Sequence, residues 1–278
     1  MKNLASITND IRSAGKKSLV PFFTAGYPDE RTFLQLLDGA AEAGCRLLEV
    51  GVPFSDPIAD GPVIQVSSQQ ALAGGMTLTR TLDLCAEAGD RTGAALVLMG
   101  YLNPILALGL TTFAARARQA GVAGVIIPDV PLEESTEIRT VLTGEGITFV
   151  DLVAPTSGPQ RCARIAEVAR GFLYLISVAG VTGSRVEFDQ AVARFGDEVK
   201  RYCRLPLYVG FGVSDRQQAV AICRWADGAI IGSELIRIIQ AAAGSEWAVA
   251  AVREFLVDIN LAINPAGNSF SIEGEEKS

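Results

Sequence analysis

A repeating pattern of short apolar runs and amphipathic stretches most constrains the fold of this chain. Such runs are typical of parallel strands that are covered on both faces. The pattern predicts strands over Leu19–Thr24, Leu47–Gly51, Ala95–Gly100, Gly124–Ile127, Phe149–Val153, Phe172–Ser177, Leu207–Gly210 and Ala229–Ile231. Helical periodicity predicts helices over Arg31–Ala43, Leu78–Ala88, Phe113–Ala120, Glu133–Leu142, Gln160–Ala169, Phe188–Tyr202 and Asp215–Trp225. Eight strands that alternate with helices predict an α/β protein of the (β/α)₈ TIM-barrel class.

A doubly wound open sheet is the alternative fold. That fold is expected to show an early strand–GxGxxG–helix unit, which this sequence lacks. Because no linker or break in composition divides the chain, we expect residues 1–278 to form a single barrel domain. Leu4–Ile11 is predicted to form an extra N-terminal helix that closes the bottom of the barrel. The polar residues 264–278 are expected to form a flexible tail.

Glycines follow three of the predicted helices, at Gly44, Gly89 and Gly121. A residue with positive φ often ends a helix, so we expect each of these positions to do so.

Composition excludes several classes of function. The chain has no histidine, which rules out a Ser-His or Cys-His pair and any imidazole metal ligand, and we expect no metal site. A net charge of −7 without a long basic run argues against nucleic-acid binding. Residues 1–18 lack the apolar run of a signal peptide, so a cytoplasmic location is expected.

Two further features of the composition bear on location. The uncharged stretch Thr92–Ala115 contains Asn103-Pro104 and is better explained by a strand, a loop and a helix start than by a membrane span. Five singly spaced cysteines are expected to be reduced, mostly buried thiols; they are Cys45, Cys85, Cys162, Cys203 and Cys223.

Carboxylates near predicted strand ends are the candidate proton carriers, because function in a barrel lies at the C-terminal ends of the strands. Glu49 lies within an apolar strand, where burial raises a carboxyl pKa toward neutrality and suits general acid/base work. A buried glutamate that is satisfied by backbone groups or an arginine is the structural alternative. Asp60 lies in the proline-rich loop after this strand. Asp129 and Asp215 are typical of a turn and of a first helical turn.

Small-residue turns follow the last three predicted strands, at Gly180–Ser184, Gly210–Ser214 and Gly232-Ser233. Backbone N–H groups at such turns and at helix N-termini bind phosphate, and barrels often place phosphate at the last two loops. Simple tight turns are the alternative. Only five lysines occur and none lies at a predicted strand C-terminus, which argues against a Schiff-base aldolase.

Several segments together resemble the tryptophan synthase α subunit family. They are Pro21–Pro28, Leu48–Pro57, Ala59–Pro62, Ile126–Asp129, Leu152–Thr156, Gly180–Gly183 and Gly210–Gly212. The resemblance runs in order from about Leu4 to Asn260, and its segment Leu-Glu-x-Gly-x-Pro-Phe-Ser-Asp-Pro is highly specific.

The resemblance implies a lyase that cleaves indole-3-glycerol phosphate to indole and glyceraldehyde 3-phosphate. It implies that Glu49 is the catalytic acid/base and that Asp60 accepts a hydrogen bond from the indole N–H. It also implies that Thr182, in the sixth loop, contacts Asp60 when the site closes. The implied phosphate-binding residues are Gly183, Gly212, Gly232 and Ser233. The implied indole pocket includes Phe22, Met99, Tyr101, Tyr174 and Phe211.

The same resemblance implies a partner, the tryptophan synthase β subunit, in an α₂β₂ heterotetramer. Pyridoxal phosphate would belong to that subunit, with no cofactor in this chain. Pro53, Asp56 and Pro57 would contact the partner. Three alternatives stay open: a lyase that releases free indole without a β partner, a non-catalytic regulatory barrel, and another phosphate-binding barrel such as a sugar-phosphate isomerase.

Overall fold

The structure, a computed structural model, describes residues 3–176, 185–210 and 213–265. Within them lie nine parallel strands, and at least one helix separates each strand from the next except between β5 and β6. The strands are β1 (Ser18–Thr24), β2 (Leu47–Gly51), β3 (Ala95–Met99), β4 (Val122–Ile126), β5 (Thr148–Phe149), β6 (Asp151–Val153), β7 (Leu173–Ile176), β8 (Leu207–Gly210) and β9 (Gly228–Ile231). Their order in the sheet is β5-β4-β3-β2-β1-β9-β8-β7-β6. The two strands at the ends of this order, β5 and β6, follow each other directly in the chain. The predicted (β/α)₈ barrel is confirmed.

The fifth predicted strand is divided in two. Thr148 and Phe149 pair only with β4, whereas residues 151–153 pair only with β7. Val150, between them, donates its N–H to the Val125 carbonyl at 2.9 Å. The chain therefore changes neighbours at Val150, and the nine segments correspond to eight barrel strands.

Twelve α-helices lie among the described residues. They are α1 (Leu4–Ser13), α2 (Glu30–Glu42), α3 (Pro62–Ala73), α4 (Leu78–Thr92), α5 (Leu102–Leu108), α6 (Leu110–Gln119), α7 (Thr136–Gly144), α8 (Gly158–Val168), α9 (Arg185–Tyr202), α10 (Arg216–Cys223), α11 (Ser233–Ala241) and α12 (Ser245–Ile263). Short 3₁₀ turns cover Leu132–Glu134 and Pro155–Ser157. The uncharged stretch Thr92–Ala115 contains β3, α5 and the start of α6. No described helix is long and apolar enough to span a membrane.

Alternation along the strands separates the interior of the barrel from the layer under the helices. Leu47 and Val97 pack inside the barrel, whereas Leu48 and Leu98 pack against the helices. Helix α1 was predicted as the bottom closure, and its fully buried Leu4 joins the interior cluster. A Cβ on Gly124 would lie 2.6 Å from Leu4 Cδ2, so a glycine at that position makes room for the closing helix.

The glycine predictions are partly wrong. Gly44 and Gly121 follow α2 and α6 with φ of 87° and 73°, as expected. Gly89 instead lies inside α4, which continues to Thr92 and ends at Gly93 with φ 64°. The additional turn is anchored by Arg91, which forms ion pairs with Asp38 and Glu87. These contacts favour a longer helix despite a glycine in its interior.

The structure shows how the chain continues after α12 and where the five cysteines lie. Asn264 Oδ1 accepts a hydrogen bond from the Lys17 N–H at 2.8 Å, which fixes the chain just after α12. The rest of the expected tail, from Ala266, lies outside the described residues. All five cysteines are free and buried, which confirms the prediction made for them.

Candidate active site

Glu49 lies in the barrel interior near the C-terminal ends of the strands. It shares the inward face of β2 with Leu47, two residues earlier, and its Cα is in register with Phe22 on β1 and Val97 on β3. The residue is 1% exposed. Among the described residues, its Oε1 is the one buried side-chain nitrogen or oxygen that lacks a hydrogen-bond partner. The described residues therefore do not give this oxygen the backbone or arginine partner that the structural alternative requires.

Burial dominates the electrostatics of Glu49. Desolvation, followed by repulsion from Asp60, raises the Glu49 pKa from 4.5 to about 8. The carboxyl group is therefore protonated near neutral pH, and it can act as an acid in that form and as a base after it loses the proton.

A second buried carboxylate shows what a purely structural acid looks like in this barrel. Asp151, on β6, is 4% exposed and accepts hydrogen bonds from both terminal nitrogens of Arg139. The same guanidinium lies 4.4 Å from the centre of the Phe149 ring. Asp151 is thus fully paired, whereas Glu49 is not, and this difference makes Glu49 the better candidate for chemistry.

Asp60 faces Glu49 from the loop that follows β2. Desolvation raises its pKa from 3.8 to about 6, and a hydrogen bond from the Tyr101 hydroxyl partly offsets this rise. Tyr101 also accepts a hydrogen bond from the Ala59 N–H at 3.0 Å and stacks on Phe54, with ring centroids 5.1 Å apart. Tyr101 therefore holds the loop in place, and it does not line the described cavity as the resemblance implied.

A cavity of about 350 Å³ opens above these two carboxylates. Its described lining comprises Phe22, Glu49, Asp60, Ile64, Met99, Tyr174, Val213, Ser214, Ile230, Gly232, Ser233, Glu234 and Arg237. One end is apolar and aromatic, and the other is formed by the polar start of α11. The sequence singled out Phe22, Met99 and Tyr174 for the apolar end, and the structure brings all three to the wall of the cavity.

Glycines at two strand ends preserve the shape of the apolar end. A Cβ on Gly51 would lie 2.4 Å from the Phe22 ring, and a Cβ on Gly210 would lie 2.2 Å from the Tyr174 hydroxyl. A Cβ atom essentially never lies this close to an atom to which it is not bonded, so any larger residue would displace the neighbouring aromatic ring. The glycines thus allow both rings to lean over the strand ends.

The polar end of the cavity is the N-terminus of α11. Gly232 is the N-cap of this helix and Ser233 its first residue, and no side chain among those described caps the exposed N–H groups. An uncapped helix N-terminus that opens into a cavity favours an anion. Arg237 also lines this end, and its Nη1 lies 2.9 Å from Glu234 Oε2.

Sequence reasoning missed Arg237 and Ile64 as cavity residues, whereas Ser214 belongs to the predicted phosphate turn Gly210–Ser214. Arg237 lies one helical turn after Ser233, so that i, i+4 spacing from the predicted phosphate turn was the available signal. Ile64 follows the Pro62 start of α3, a helix that the sequence did not predict.

Several predicted residues lie elsewhere. Thr182, Gly183, Phe211 and Gly212 fall outside the described residues. Asp129 accepts a hydrogen bond from the Leu102 N–H at 3.1 Å, and Asp215 caps α10 by accepting from the Gln218 N–H at 2.9 Å. Both therefore have local structural roles, in agreement with the interpretation from the sequence.

The expected partner-contact residues differ in exposure. Pro53 is buried within the chain, Pro57 is half-buried, and Asp56 is exposed. Ile58, which the sequence reasoning did not single out, is 82% exposed on the same loop.

Comparison with known proteins agrees with this geometry. The profile of the tryptophan synthase alpha chain family matches residues 8–263. The chain belongs to this family. The tryptophan synthase alpha chain of Dechloromonas aromatica is 42% identical over 265 residues, which cover 95% of this chain and 98% of that protein. The alpha chain of Chromobacterium violaceum is 46% identical over 82% of this chain and 88% of its own length.

Solved structures of family members share the fold. The crystal structure of tryptophan synthase subunit alpha from Legionella pneumophila superposes with a TM-score of 0.86 at 32% identity. The match covers 95% of this chain and 99% of the Legionella chain. Tryptophan synthase from Mycobacterium tuberculosis, in an aminoacrylate-bound form, gives a TM-score of 0.84 at 31% identity over 95% of this chain and all of its own. The family resemblance drawn from the sequence motifs is therefore confirmed.

Proposed function

We propose that this chain is a carbon–carbon lyase that cleaves indole-3-glycerol phosphate to indole and glyceraldehyde 3-phosphate, with Glu49 as the acid/base. Family membership supports the reaction. The observation that carries the assignment of the residue is the buried carboxyl group of Glu49 in the wall of the cavity, whose Oε1 has no hydrogen-bond partner among the described residues.

The reaction balances with one carboxyl group. The protonated Glu49 gives its proton to the indole ring carbon that bears the glycerol chain, which leaves a cationic ring. The Glu49 carboxylate then removes the proton from the hydroxyl group on the adjacent chain carbon. The bond between the ring and that carbon breaks, its electrons return to the ring as indole, and the hydroxyl carbon becomes the aldehyde. Glu49 ends protonated, ready for the next cycle.

Asp60 stabilises the intermediate. It accepts a hydrogen bond from the indole N–H and offsets the positive charge that develops on the ring after protonation. This role requires the anion, and a pKa of about 6 leaves Asp60 ionised at pH 7. Because Glu49 has a pKa of about 8, the two carboxyl groups hold opposite protonation states between these values, as the mechanism needs.

The cavity suits the two ends of the substrate. The indole ring packs between Phe22 and Tyr174 at the apolar end, with Met99 beside it. The phosphate binds at Gly232 and Ser233, where the N–H groups of α11 are uncapped. Phosphate binding by backbone groups explains how a chain of net charge −7 accepts an anionic substrate.

A tryptophan synthase β subunit is the proposed partner, in an α₂β₂ heterotetramer. That subunit would carry pyridoxal phosphate and consume the indole. The loop from Pro53 to Asp60 is the proposed contact, with Asp56, Pro57 and the exposed Ile58 on its surface. Pro53 is buried and would support the loop from within.

The test is incubation of the chain with indole-3-glycerol phosphate, with and without a β subunit, and quantification of both products. Equal amounts of indole and glyceraldehyde 3-phosphate, with faster release when the β subunit is present, are expected. Substrate binding without release of indole, even with the β subunit, would instead favour a regulatory barrel. Undiminished release without any partner would favour a lyase that works alone.

A further inference from the structure

We propose that Arg237 binds the phosphate group of the substrate and that Glu234 positions it. This inference rests on the proposed function, and it adds a charged side chain to a site otherwise formed by backbone N–H groups.

The charges around the cavity give the first argument. Besides Glu49, which is protonated near neutral pH, its described lining contains two carboxyl groups, those of Asp60 and Glu234, and a single cation, Arg237. A phosphate dianion that enters such a cavity meets repulsion that backbone dipoles offset only in part. The guanidinium of Arg237 supplies the missing positive charge at the end of the cavity where Gly232 and Ser233 lie.

The helix geometry gives the second argument. Arg237 follows Ser233 by four residues on α11, so both side chains lie on the same face of the helix, and both line the cavity. A guanidinium in this position can donate two parallel hydrogen bonds to phosphate oxygens while the helix N–H groups bind the others.

Glu234 gives the third argument. Its Oε2 lies 2.9 Å from Arg237 Nη1, an i, i+3 pair in which the glutamate is 25% exposed and the arginine 52%. The pair directs the guanidinium toward the start of the helix, and its other nitrogen atoms make no hydrogen bond to the described residues.

The chain offers a matched control. Arg253, on α12, is also 52% exposed and also forms one ion pair, between its Nη1 and Glu42 Oε2 at 3.2 Å. It does not line the cavity. Any effect common to the loss of an exposed, paired arginine therefore appears equally in Arg253→Gln.

The experiment compares Arg237→Gln with Arg253→Gln as α chains in complex with the β subunit. Arg237→Gln should raise KM for indole-3-glycerol phosphate about tenfold, the usual effect of losing a charge-assisted hydrogen bond, and leave kcat within about twofold. Arg237→Lys, which keeps the charge, should lie between Arg237→Gln and the wild type. The effect should shrink at high salt, because the site is partly exposed.

A second comparison tests the role of Glu234. Once Arg237 is gone, the Glu234 carboxylate only repels phosphate, so adding Glu234→Gln to Arg237→Gln should lower KM again. An unchanged KM in the double variant would contradict the role given to Glu234.

Binding without turnover separates this inference from the proposed function. Calorimetry with glycerol 3-phosphate should show the same tenfold loss in Arg237→Gln, whereas affinity for indole should not change. If the wild type binds glycerol 3-phosphate but releases no indole, the proposed function fails and the role of Arg237 is still measured. If Arg237→Gln behaves like Arg253→Gln in both KM and glycerol 3-phosphate affinity, the inference is overturned.

Discussion

Replacing Glu49 with glutamine should stabilise the folded protein at alkaline pH while it removes the catalytic proton. The wild-type carboxyl has a pKa of about 8 when folded and an ordinary value of 4.5. Between these values the folded protein binds more protons than the unfolded chain. Its stability therefore falls as the pH rises through this window and stops falling above the folded pKa.

The magnitude follows from the two pKa values. At about 1.36 kcal/mol per pKa unit, the wild type loses about 4 kcal/mol of unfolding free energy between pH 4.5 and pH 8 because of this one group. The amide in Glu49→Gln does not titrate. The stability difference between the variant and the wild type should therefore grow by about that amount over the same range.

Urea unfolding at half-unit steps from pH 4.5 to pH 8 measures this difference directly. Glu42→Gln is the control, because Glu42 is exposed and an exposed ion pair contributes about 0–1 kcal/mol. It should show no comparable growth. A stability difference between Glu49→Gln and wild type that stays constant with pH would refute the claim that Glu49 is strongly perturbed by burial.

Three further outcomes are expected. The pH profile of kcat/KM should be bell-shaped, with an acid limb near pH 6 from protonation of Asp60 and an alkaline limb near pH 8 from ionisation of Glu49; limbs at ordinary carboxyl values would contradict it. Leu4→Ala should lower the unfolding free energy by about 2–5 kcal/mol in urea titrations, because it empties the closed bottom of the barrel. Gly210→Ala should raise KM in steady-state assays by displacing the Tyr174 ring; an unchanged KM would mean that the ring does not shape the indole pocket.

The barrel could be predicted from the sequence because its strands are short apolar runs in a regular alternation with helices. Helix α3 was missed for a physical reason. Its buried face carries Ser67, whose hydroxyl hydrogen-bonds Thr24 Oγ1 at 2.7 Å and the Ile64 carbonyl at 2.8 Å. A buried polar face of this kind lacks the apolar periodicity on which helix prediction depends.

The division of the fifth strand at Val150 could not be predicted either. Apolar residues, Phe149 and Leu152, lie on both sides of Val150, and the two sides differ in the strands with which they pair. Strand pairing is a property of the closed barrel, so a local pattern does not contain it.

The candidate site was predicted where a residue type conflicts with its surroundings. Glu49 stood out as a carboxyl within an apolar strand, and the structure shows why this conflict matters, since its Oε1 has no partner among the described residues. Arg237 did not stand out, because a charged residue in a helix is ordinary. Only the phase of α11 relative to the barrel brings it to the cavity.

The most direct test of the account is the turnover of indole-3-glycerol phosphate by Glu49→Gln, assembled with a β subunit and measured at pH 7. Loss of a general acid/base should lower kcat by about 10²–10⁴-fold, with KM changed little because the walls of the cavity and its phosphate end are intact. A kcat within about tenfold of wild type would contradict the central claim that Glu49 carries the proton in this reaction.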